Sequence, residues 1–235
     1  MKWRVVVFGL IFFCCEFLSG QTGEEVDITK DSTHHMVLQN QYVRVFEVQV
    51  PPHGASILHK HDHDYVFVVI GNAAISNKVA GKAPVKLRLQ EGETRFLNGG
   101  FSHVTKNLGD SPYRNINVEF LQDEKARQSP PPAWDEERGF HVLKGGTQHI
   151  MFVADGVRVS EVDLQPRGLV PLHRHAGPHL VIGITDLHLS SDVAGKGAST
   201  KTMKAGEVAW VPGGFSHTLK NLGTQDAKFV TLEFK

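Results

Sequence analysis

Short runs of apolar residues with polar residues between them follow one another along most of the chain. Residues 43–50, 65–70 and 229–234 are typical and are rich in Val, Ile and Phe. Clusters of glycine and proline end these runs at short intervals, and no stretch keeps the 3.6-residue apolar period of a helix. The pattern therefore predicts an all-β chain of many short strands, arranged as a sandwich or a barrel.

The N-terminus departs from this pattern. Residues 1–4 are basic, residues 5–15 form an apolar run, and small residues at 19–20 precede a polar stretch. This order is typical of a secretory signal peptide, and the run is shorter than the about 20 residues that a membrane span needs. We expect residues 1–20 to be removed, which leaves a secreted or periplasmic protein without a membrane span. An uncleaved anchor is the alternative, because Glu16 suits the cleavage region poorly.

The composition narrows the chemistry of the mature chain. Lys+Arg 25 balance Asp+Glu 25, which argues against a nucleic-acid partner because such proteins usually carry a basic excess. Both cysteines, Cys14 and Cys15, lie in the expected signal peptide. Thiol catalysis, thiolate metal sites and disulfides are therefore excluded after cleavage. The unusual count is that of histidine, with 14 residues.

The chain repeats itself at a separation of 114 residues. Residues 35–120 align with residues 149–234 without a gap, and 30 of the 86 aligned positions are identical. Two copies of this length are better explained as two domains than as a solenoid. The expected organisation is a signal peptide at residues 1–20, a first β-barrel at 34–122, a proline-rich linker at 123–140 and a second β-barrel at 141–235.

The repeat determines where most of the histidines fall. Each copy has a His-x-His pair in a strand-like segment, and residues i and i+2 of a strand point to the same face. A third histidine follows 42 residues after the pair, behind a Gly-Gly turn in which the backbone can bend sharply. Three convergent neutral imidazoles make a good site for Fe, Mn, Zn, Ni or Cu. The candidate ligands are His59, His61 and His103 in the first copy and His173, His175 and His217 in the second.

The fourth ligand position differs between the copies. In the second copy His179 is expected on the same strand face, so the second site is predicted to contain four histidines. In the first copy the aligned residue is Tyr65, and strand parity turns His63 toward the same space. We therefore expect His63 to be the fourth ligand of the first site, with Asp64 as its substitute if the strand is kinked. Tyr65 is the candidate for a catalytic proton donor or acceptor that is not a ligand, and no general base is identified.

The spacing of these histidines resembles that of the bicupins of the secreted bacterial type, which have two cupin β-barrels. The first motif is present as Gly54-x4-His59-x-His61 and as Gly168-x4-His173-x-His175-x3-His179. The second motif is complete as Gly206-x5-Pro212-Gly213-Gly214-x2-His217-x3-Asn221, and the first copy departs from it at Asn98, where proline is expected. The resemblance covers nearly all of residues 35–234. It implies that each copy is a barrel of about six to eight strands that holds one divalent transition metal.

Both copies depart from the family's pattern at one ligand. The glutamate that usually completes the set is absent, and Tyr65 and His179 stand in its place, which argues against an oxalate-metabolising bicupin or a germin. All-histidine sites are similar to those of the cupin dioxygenases. The resemblance therefore implies a metal-dependent oxidoreductase of the dioxygenase type, with iron as the first choice of metal and a small organic substrate. A metal-dependent lyase or isomerase and a non-catalytic protein that binds metal or a small ligand are the alternatives.

Two further repeated sets have structural explanations. Arg44 and Glu47 recur 114 residues later, and either a solvated exterior or an ion pair within each barrel accounts for them. His35 recurs as His149 near the first strand, where we expect a structural role or an outer contact to the site. The resemblance is also compatible with a homo-oligomer.

The exported protein is expected to begin at Gln21 and to contain no thiol, because both cysteines precede the cleavage point. Intact-mass measurement and thiol titration under denaturing conditions test this on protein recovered from the medium or the periplasm. A mass that includes residues 1–20, together with reactive thiols, would identify the uncleaved anchor instead.

Overall fold

A computed structural model describes residues 24–122, 139–154 and 156–234, and these residues form almost only β-strands. The prediction of an all-β chain with two barrels is confirmed. The expected signal peptide at residues 1–20 and residues 123–138 of the expected linker lie outside the described residues. Across the described ranges, no helix combines the length and the apolarity needed to cross a membrane.

Two five-stranded sheets face each other in the first barrel, which we call barrel 1. One turn of 3-10 helix, Ile28–Lys30, follows its first strand. The strands are β1 Val26–Asp27, β2 His34–Gln39, β3 Val43–Val50, β4 His59–His61, β5 Tyr65–Ile70, β6 Ala73–Val79, β7 Val85–Leu89, β8 Thr94–Leu97, β9 Phe101–Asn107 and β10 Tyr113–Phe120. One sheet has the order β1-β4-β9-β6-β7, and the other has the order β2-β3-β10-β5-β8.

The second barrel, barrel 2, repeats this arrangement. Its strands are β11 Gly139–Ala154, β12 Val157–His175, β13 His179–Gly183, β14 Leu187–Val193, β15 Gly197–Met203, β16 Val208–Val211, β17 Phe215–Asn221 and β18 Ala227–Glu233. They form one sheet in the order β15-β14-β17-β12-β18-β13-β16, with β11 paired to β12. The long β12 corresponds to β3 and β4 together, because its first part pairs with β18 and its last part with β17. One strand therefore belongs to both walls of barrel 2.

The last strand of each barrel has its apolar face outside and a more polar face inside. Side chains alternate between the two faces of a strand. In barrel 1 the outward residues are Ile116, Val118 and Phe120, and the inward residues are Asn115, Asn117 and Glu119. In barrel 2 the outward residues are Val230, Leu232 and Phe234, and the inward residues are Phe229, Thr231 and Glu233. This orientation is stable only if something covers the outward apolar faces.

The two barrels cover each other. Sixteen buried side chains form one shared core, and they are eight pairs related by the 114-residue repeat. The members from barrel 1 are Val43, Val45, Val66, Val68, Ile70, Ile116, Val118 and Phe120. The members from barrel 2 are Val157, Val159, Leu180, Ile182, Ile184, Val230, Leu232 and Phe234. Because each copy presents the same surface to the other, the interface has the character of a two-fold dimer contact.

Polar contacts at the rim of this interface follow the same symmetry. Arg114 of barrel 1 donates to the main chain of barrel 2 at 3.2 Å and pairs with Glu47 at 3.1 Å. At the equivalent place in barrel 2, Lys228 lies 3.5 Å from Glu161. Gly206 leaves room for the arginine, since a Cβ at that position would lie 2.5 Å from Nη2 of Arg114. Both repeated glutamates therefore belong to ion pairs within their own barrels.

Truncating a side chain of the shared core is expected to destabilise the whole protein. Leu232 is 0% exposed, and its replacement by alanine removes apolar contacts to both barrels, so Leu232→Ala should cost about 2–5 kcal/mol. Leu172 is 65% exposed, and the matched Leu172→Ala should change the stability by less than about 0.5 kcal/mol. Denaturant unfolding measures both values. Equal losses in the two variants would contradict the position of the core.

Candidate metal centres

Strand pairing brings the predicted ligands together. In barrel 1, β4 runs antiparallel to β9, and His59 lies directly opposite His103. In barrel 2, β12 and β17 place His173 opposite His217 in the same way. The second histidine of each His-x-His pair lies two residues further along the strand and therefore points to the same face. Each barrel thus has three of the predicted histidines side by side on its inner wall.

The first glycine of each Gly-Gly turn is required by a close backbone contact. A Cβ on Gly99 would lie 2.6 Å from the backbone of His63, and a Cβ on Gly213 would lie 2.3 Å from the backbone of Gly177. The next residue in barrel 1, Gly100, has a φ of 83°, a conformation that glycine adopts without strain. The two glycines therefore let the third histidine of each site begin its strand next to the His-x-His pair.

Three imidazoles converge in barrel 2. Nε2 of His175 lies 3.0 Å from Nε2 of His173 and 3.2 Å from Nε2 of His217. Nδ1 of His173 donates to the carbonyl oxygen of Pro171 at 2.8 Å, and Nδ1 of His217 lies 2.7 Å from Oγ of Ser191. Because a carbonyl oxygen can only accept, the proton of His173 is on Nδ1, and the lone pair of its Nε2 faces the other two rings.

Barrel 1 repeats this geometry with different outer partners. Nε2 of His61 lies 3.1 Å from Nε2 of His103, whose ring centroid is 4.6 Å from that of His59. Nδ1 of His59 lies 3.1 Å from the carbonyl oxygen of Ile57, and Nδ1 of His103 lies 2.6 Å from Oδ1 of Asn77. Both partners are acceptors, so both Nε2 atoms carry lone pairs. Nε2 of His59 is buried and has no hydrogen-bond partner, which is costly for a polar atom unless a cation binds it.

A buried carboxylate lies behind one histidine in each barrel. Oε1 of Glu233 lies 3.3 Å from Nδ1 of His175, and Oε1 of Glu119 lies 3.5 Å from Nδ1 of His61. Metal-binding histidines usually have such a partner on the nitrogen that does not face the ion. The partner orients the ring and raises its basicity. The two inward glutamates of the last strands are therefore the outer contacts of the two histidine clusters.

Each of these glutamates is also paired with an arginine. Glu119 lies 2.7 Å from Arg44, and Glu233 pairs with Arg158. Burial alone would raise the pKa of Glu233, but His175 and Arg158 outweigh this effect and hold the pKa below its ordinary value. The carboxylate therefore stays charged. Of the two explanations for the repeated arginines, the structure shows the ion pair within each barrel.

Tyr65 and His179 occupy aligned positions and have the same geometry. The Tyr65 ring stacks on His61 with 4.2 Å between centroids, and the His179 ring stacks on His175 at 3.9 Å. The expectation of one continuous strand through these residues is wrong, because β4 ends at His61 and β12 ends at His175, with a turn before the next strand. The ligand role of His179 stays a prediction: its ring lies flat against His175, and its Nδ1 is buried without a hydrogen-bond partner.

The other two candidates for the fourth ligand lie in the turn at residues 62–64. His63 is neither among the residues that line the cavity of barrel 1 nor in its histidine cluster. Asp64 accepts a hydrogen bond from the backbone N–H of Gly99 at 2.7 Å, so its carboxylate stabilises the turn. The alternation of faces ends with β4 at His61, so strand parity no longer supports these two residues, and their ligand roles stay predictions.

Burial favours the neutral form of several of the clustered histidines. It lowers the pKa of His217 to about 4 and the pKa of His179 to about 3, and it lowers the pKa of His103 well below its ordinary value. Neutral imidazole is the form that binds a metal. Burial acts in the opposite direction on Tyr65, where it raises the pKa of the phenol. The Tyr65 hydroxyl is therefore protonated at neutral pH and can donate a hydrogen bond, but it is not a base.

The two barrels differ in the space beside their histidines. Barrel 2 has a cavity of about 430 Å³, within the range of pockets for small molecules, whereas barrel 1 has about 100 Å³. The aligned lining residues explain much of the difference. Barrel 1 has Phe67 where barrel 2 has Val181, and Arg95 where barrel 2 has Ala209. Larger side chains fill the space that is open in barrel 2.

Barrel 1 contains a fourth histidine that the repeated histidine pattern does not predict. One ring nitrogen each of His34, His59 and His61 lies within 4.8 Å of the others. Asp31 lies behind two of them, 2.8 Å from Nδ1 of His59 and 3.6 Å from Nδ1 of His34. The residue aligned with His34 in barrel 2 is Gln148, so His34 is not part of the repeated histidine pattern. The available signal is the Asp-x-x-His spacing just before the first long strand.

The repeated histidines near that strand lie elsewhere. His35 is exposed, and His149 stacks on Phe140 with 4.1 Å between centroids. Neither belongs to a histidine cluster. Of the two roles expected for this pair, the geometry agrees with a structural one.

The donor atoms fit a divalent transition metal in both barrels. Two nitrogens that are each about 2.1 Å from one ion, and at about a right angle, lie about 3.0 Å apart. The Nε2 separations of 3.0, 3.1 and 3.2 Å match this spacing. Lone pairs on neighbouring Nε2 atoms repel one another, and a shared cation removes that repulsion. Each barrel therefore holds a histidine cluster of the kind that binds such a metal.

Comparison with known proteins identifies the fold. No protein-family model matches the chain, and no curated protein matches it either. Among solved structures, the formate complex of Lactobacillus farciminis oxalate decarboxylase has a TM-score of 0.61 at 16% identity, over 86% of this chain and 84% of that one. Bacillus subtilis oxalate decarboxylase, described with Mn(II) centres, has a TM-score of 0.59 at 14% identity, over 83% of this chain and 69% of that one. The fold is thus that of two tandem cupin β-barrels.

Removing the charge of one buried glutamate is expected to weaken the metal site in its own barrel. Glu233→Gln should lower the metal affinity of barrel 2 by about 10–100-fold, because His175 loses its charged partner. Glu119→Gln should do the same to barrel 1. Metal titration of the apoprotein by calorimetry measures both sites, and each variant is the control for the other. Unchanged affinity in both variants would contradict the role of the glutamates.

Proposed function

We propose that barrel 2 is the catalytic centre of a metal-dependent oxidoreductase of the dioxygenase type that acts on a small, largely apolar molecule. The observation that carries this proposal is the convergence of His173, His175 and His217 on one wall of a cavity of about 430 Å³. A metal held by three histidines keeps open coordination positions and supplies Lewis acidity when bound. A cavity beside such a set gives a substrate access to those positions.

The lining of the cavity supports the substrate class. The wall of the cavity is mainly apolar, with Leu189, Met203, Trp210 and Phe229 among its residues, and its polar members include Lys201. A buried apolar wall favours an apolar molecular body and opposes additional charged groups. The substrate class is therefore an apolar compound with one oxygen-bearing, chelating end, such as a phenol or a diketone.

The chain's own groups orient this end of the substrate. Glu233 holds the imidazole of His175 in place through Nδ1, and Arg158 keeps the glutamate charged. Ser191 and Pro171 do the same for the other two rings. His179 lines the cavity beside His175. With a pKa lowered to about 3 by burial, its ring is neutral at pH 7 and offers a hydrogen bond rather than a strong base.

A metal-dependent lyase is the second candidate. The observation that favours it is the structural similarity to oxalate decarboxylases. Oxalate itself suits the site poorly, because most of the cavity wall is apolar and Arg158 is already paired with Glu233, which leaves Lys201 as the other cation of the lining. A lyase of this kind would act on a molecule with one chelating end. A purely non-catalytic role is opposed by the open cavity.

The identity of the metal and the location of the protein in the cell are also part of the proposed function. Iron(II) is the first candidate for barrel 2, since the donor set is neutral nitrogen, and manganese(II) is the second because a solved relative of the fold is described with it. Zinc, nickel and copper are also accepted by imidazole. We further propose that the protein is exported, acts on a small molecule without nucleic acid, and forms homo-oligomers.

Oxygen uptake distinguishes the two reaction classes. Protein loaded with iron(II) is expected to consume oxygen with at least one member of a panel of phenols and diketones. The activity should disappear in His175→Ala and persist in His61→Ala, which places it in barrel 2. Release of carbon dioxide from a carboxylate panel under anaerobic conditions would favour the lyase. No oxygen uptake with any panel member would contradict the dioxygenase.

Filling the cavity should separate substrate binding from metal binding. Val181→Phe introduces the residue that barrel 1 has at the aligned position, Phe67, and should weaken substrate binding by more than about tenfold, or 1.4 kcal/mol. The metal content should not change, because Val181 is not a donor. The control is Val142→Phe, at a residue that is 89% exposed. Equal KM values in the variant and the wild type would place the substrate outside this cavity.

A further inference from the structure

We propose that Lys201 is a specificity-determining residue of barrel 2, which binds a singly charged anionic group, such as a carboxylate, at the end of the substrate that lies away from the metal. The inference rests on the proposed function of barrel 2 and narrows its substrate class. The substrate has a chelating end, an apolar body and an anionic end at the opening of the cavity.

Lys201 lies at the opening of the cavity. In β15, Ser199, Lys201 and Met203 share one face of the strand and line the cavity. The exposed members of the lining are Ser199, Lys201 and Pro212. Two of them belong to β15 and the third follows β16, and these strands are the two ends of the strand order. A residue that both lines a cavity and is exposed borders its opening, so Lys201 can contact a ligand and water together.

The register of the sheet separates Lys201 from the histidines. His217 of β17 lies opposite Val193 of β14. Lys201 of β15 lies opposite Leu189 of the same strand. Val193 and Leu189 are four residues apart, which corresponds to about 13 Å along β14. A ligand that reaches both ends is therefore an elongated molecule.

The protein does not neutralise the charge of Lys201. Apart from the histidines, the charged residues of the lining are Arg158, Glu233 and Lys201, and the first two pair with each other. Among the described residues, the side chain of Lys201 has no ion pair and no hydrogen bond. An anionic ligand therefore complements the cavity. One ammonium group balances one negative charge, which favours a carboxylate over a phosphate dianion.

The exposure of Lys201 reconciles an anionic end with an apolar wall. A charged group inside the cavity would lose its water and face mainly apolar side chains, which is costly. At the opening the same group keeps part of its hydration while it pairs with the ammonium group. The apolar body of the substrate then occupies the interior, where Leu189 and Met203 lie.

Barrel 1 is the internal comparison. The residue aligned with Lys201 is Leu87, which lines the smaller cavity and lies opposite Ile75. Two aliphatic side chains thus complete this part of the wall in barrel 1. In barrel 2 a lysine lies opposite Leu189 at the same place. The strand pair does not need a charge here, and the charge is present in the barrel with the larger cavity.

Matched ligands measure the preference for an anion on the full chain loaded with zinc. Zinc has no redox chemistry, so binding is measured without turnover. The ligands are catechols with an alkyl chain of increasing length that ends in a carboxylate or in the uncharged amide. For at least one length, calorimetry should show that the carboxylate binds about 3–10-fold more tightly than the amide. Equal affinities at every length, or no binding of either series, would overturn the proposal.

Substitution of Lys201 assigns this preference to one residue. Lys201→Met removes the charge and should abolish the preference, with less than about a twofold change in the amide affinity. Lys201→Glu should reverse it. The control is Lys196→Met, in the exposed turn between β14 and β15 and outside the lining of the cavity. An unchanged preference in Lys201→Met would overturn the proposal. Self-association of that variant would then assign the lysine to protection of the edge strand from pairing.

Oxygen uptake keeps this result separate from the proposed reaction. A preference that depends on Lys201, in a protein whose iron(II) form consumes no oxygen, would support the anion site and contradict the dioxygenase. Oxygen uptake with a carboxylate-bearing substrate whose KM is equal in Lys201→Met and the wild type would support the reaction and overturn the anion site.

Discussion

The apolar contact between the two barrels is the interaction on which both histidine clusters depend. A barrel normally keeps its apolar side chains inside, and here the last strands of both copies direct Val, Ile, Leu and Phe outward into one shared core. The inward positions of the same strands are thereby free for polar residues. A slip of one residue in β10 or β18 would exchange the faces. It would place a charged glutamate between the barrels and leave His61 or His175 without its carboxylate.

The geometry of each histidine cluster is therefore determined by contacts that begin at the interface between the barrels and lead to the barrel interior. The shared core determines the register of the last strand, the register places Glu119 or Glu233, and the glutamate orients one imidazole. Carbonyl, amide and hydroxyl groups orient the others through Nδ1. The result is a set of lone pairs that face one another before any ion binds. Such preorganisation reduces the rearrangement that metal binding requires.

Much of the fold and part of the site follow from the sequence. The alternation of apolar residues and the 114-residue repeat predict two all-β barrels, and the His-x-His spacing predicts which rings share a wall. The ligand role of His63 stays a prediction, and the parity argument for it crosses a turn after His61 that the sequence does not mark. The repeat does not predict His34 and Asp31, because the aligned residues in the second copy are Gln148 and Gly145. The size of each cavity depends on aligned residues such as Arg95 and Ala209. Their effect on the cavity volume is visible only in the folded barrels.

The two-fold character of the shared core has a consequence for how one chain came to hold two unlike sites. A single barrel with this outward surface would pair with an identical copy, and every substitution would then appear on both sides of the axis. When the two copies are joined in one polypeptide, the barrels still pair, but a substitution in one barrel no longer has to appear in the other. Phe67 and Val181 can then differ without loss of the interface. Covalent linkage thus allows the site in one barrel to change by substitution while the other barrel keeps the interface on which both depend.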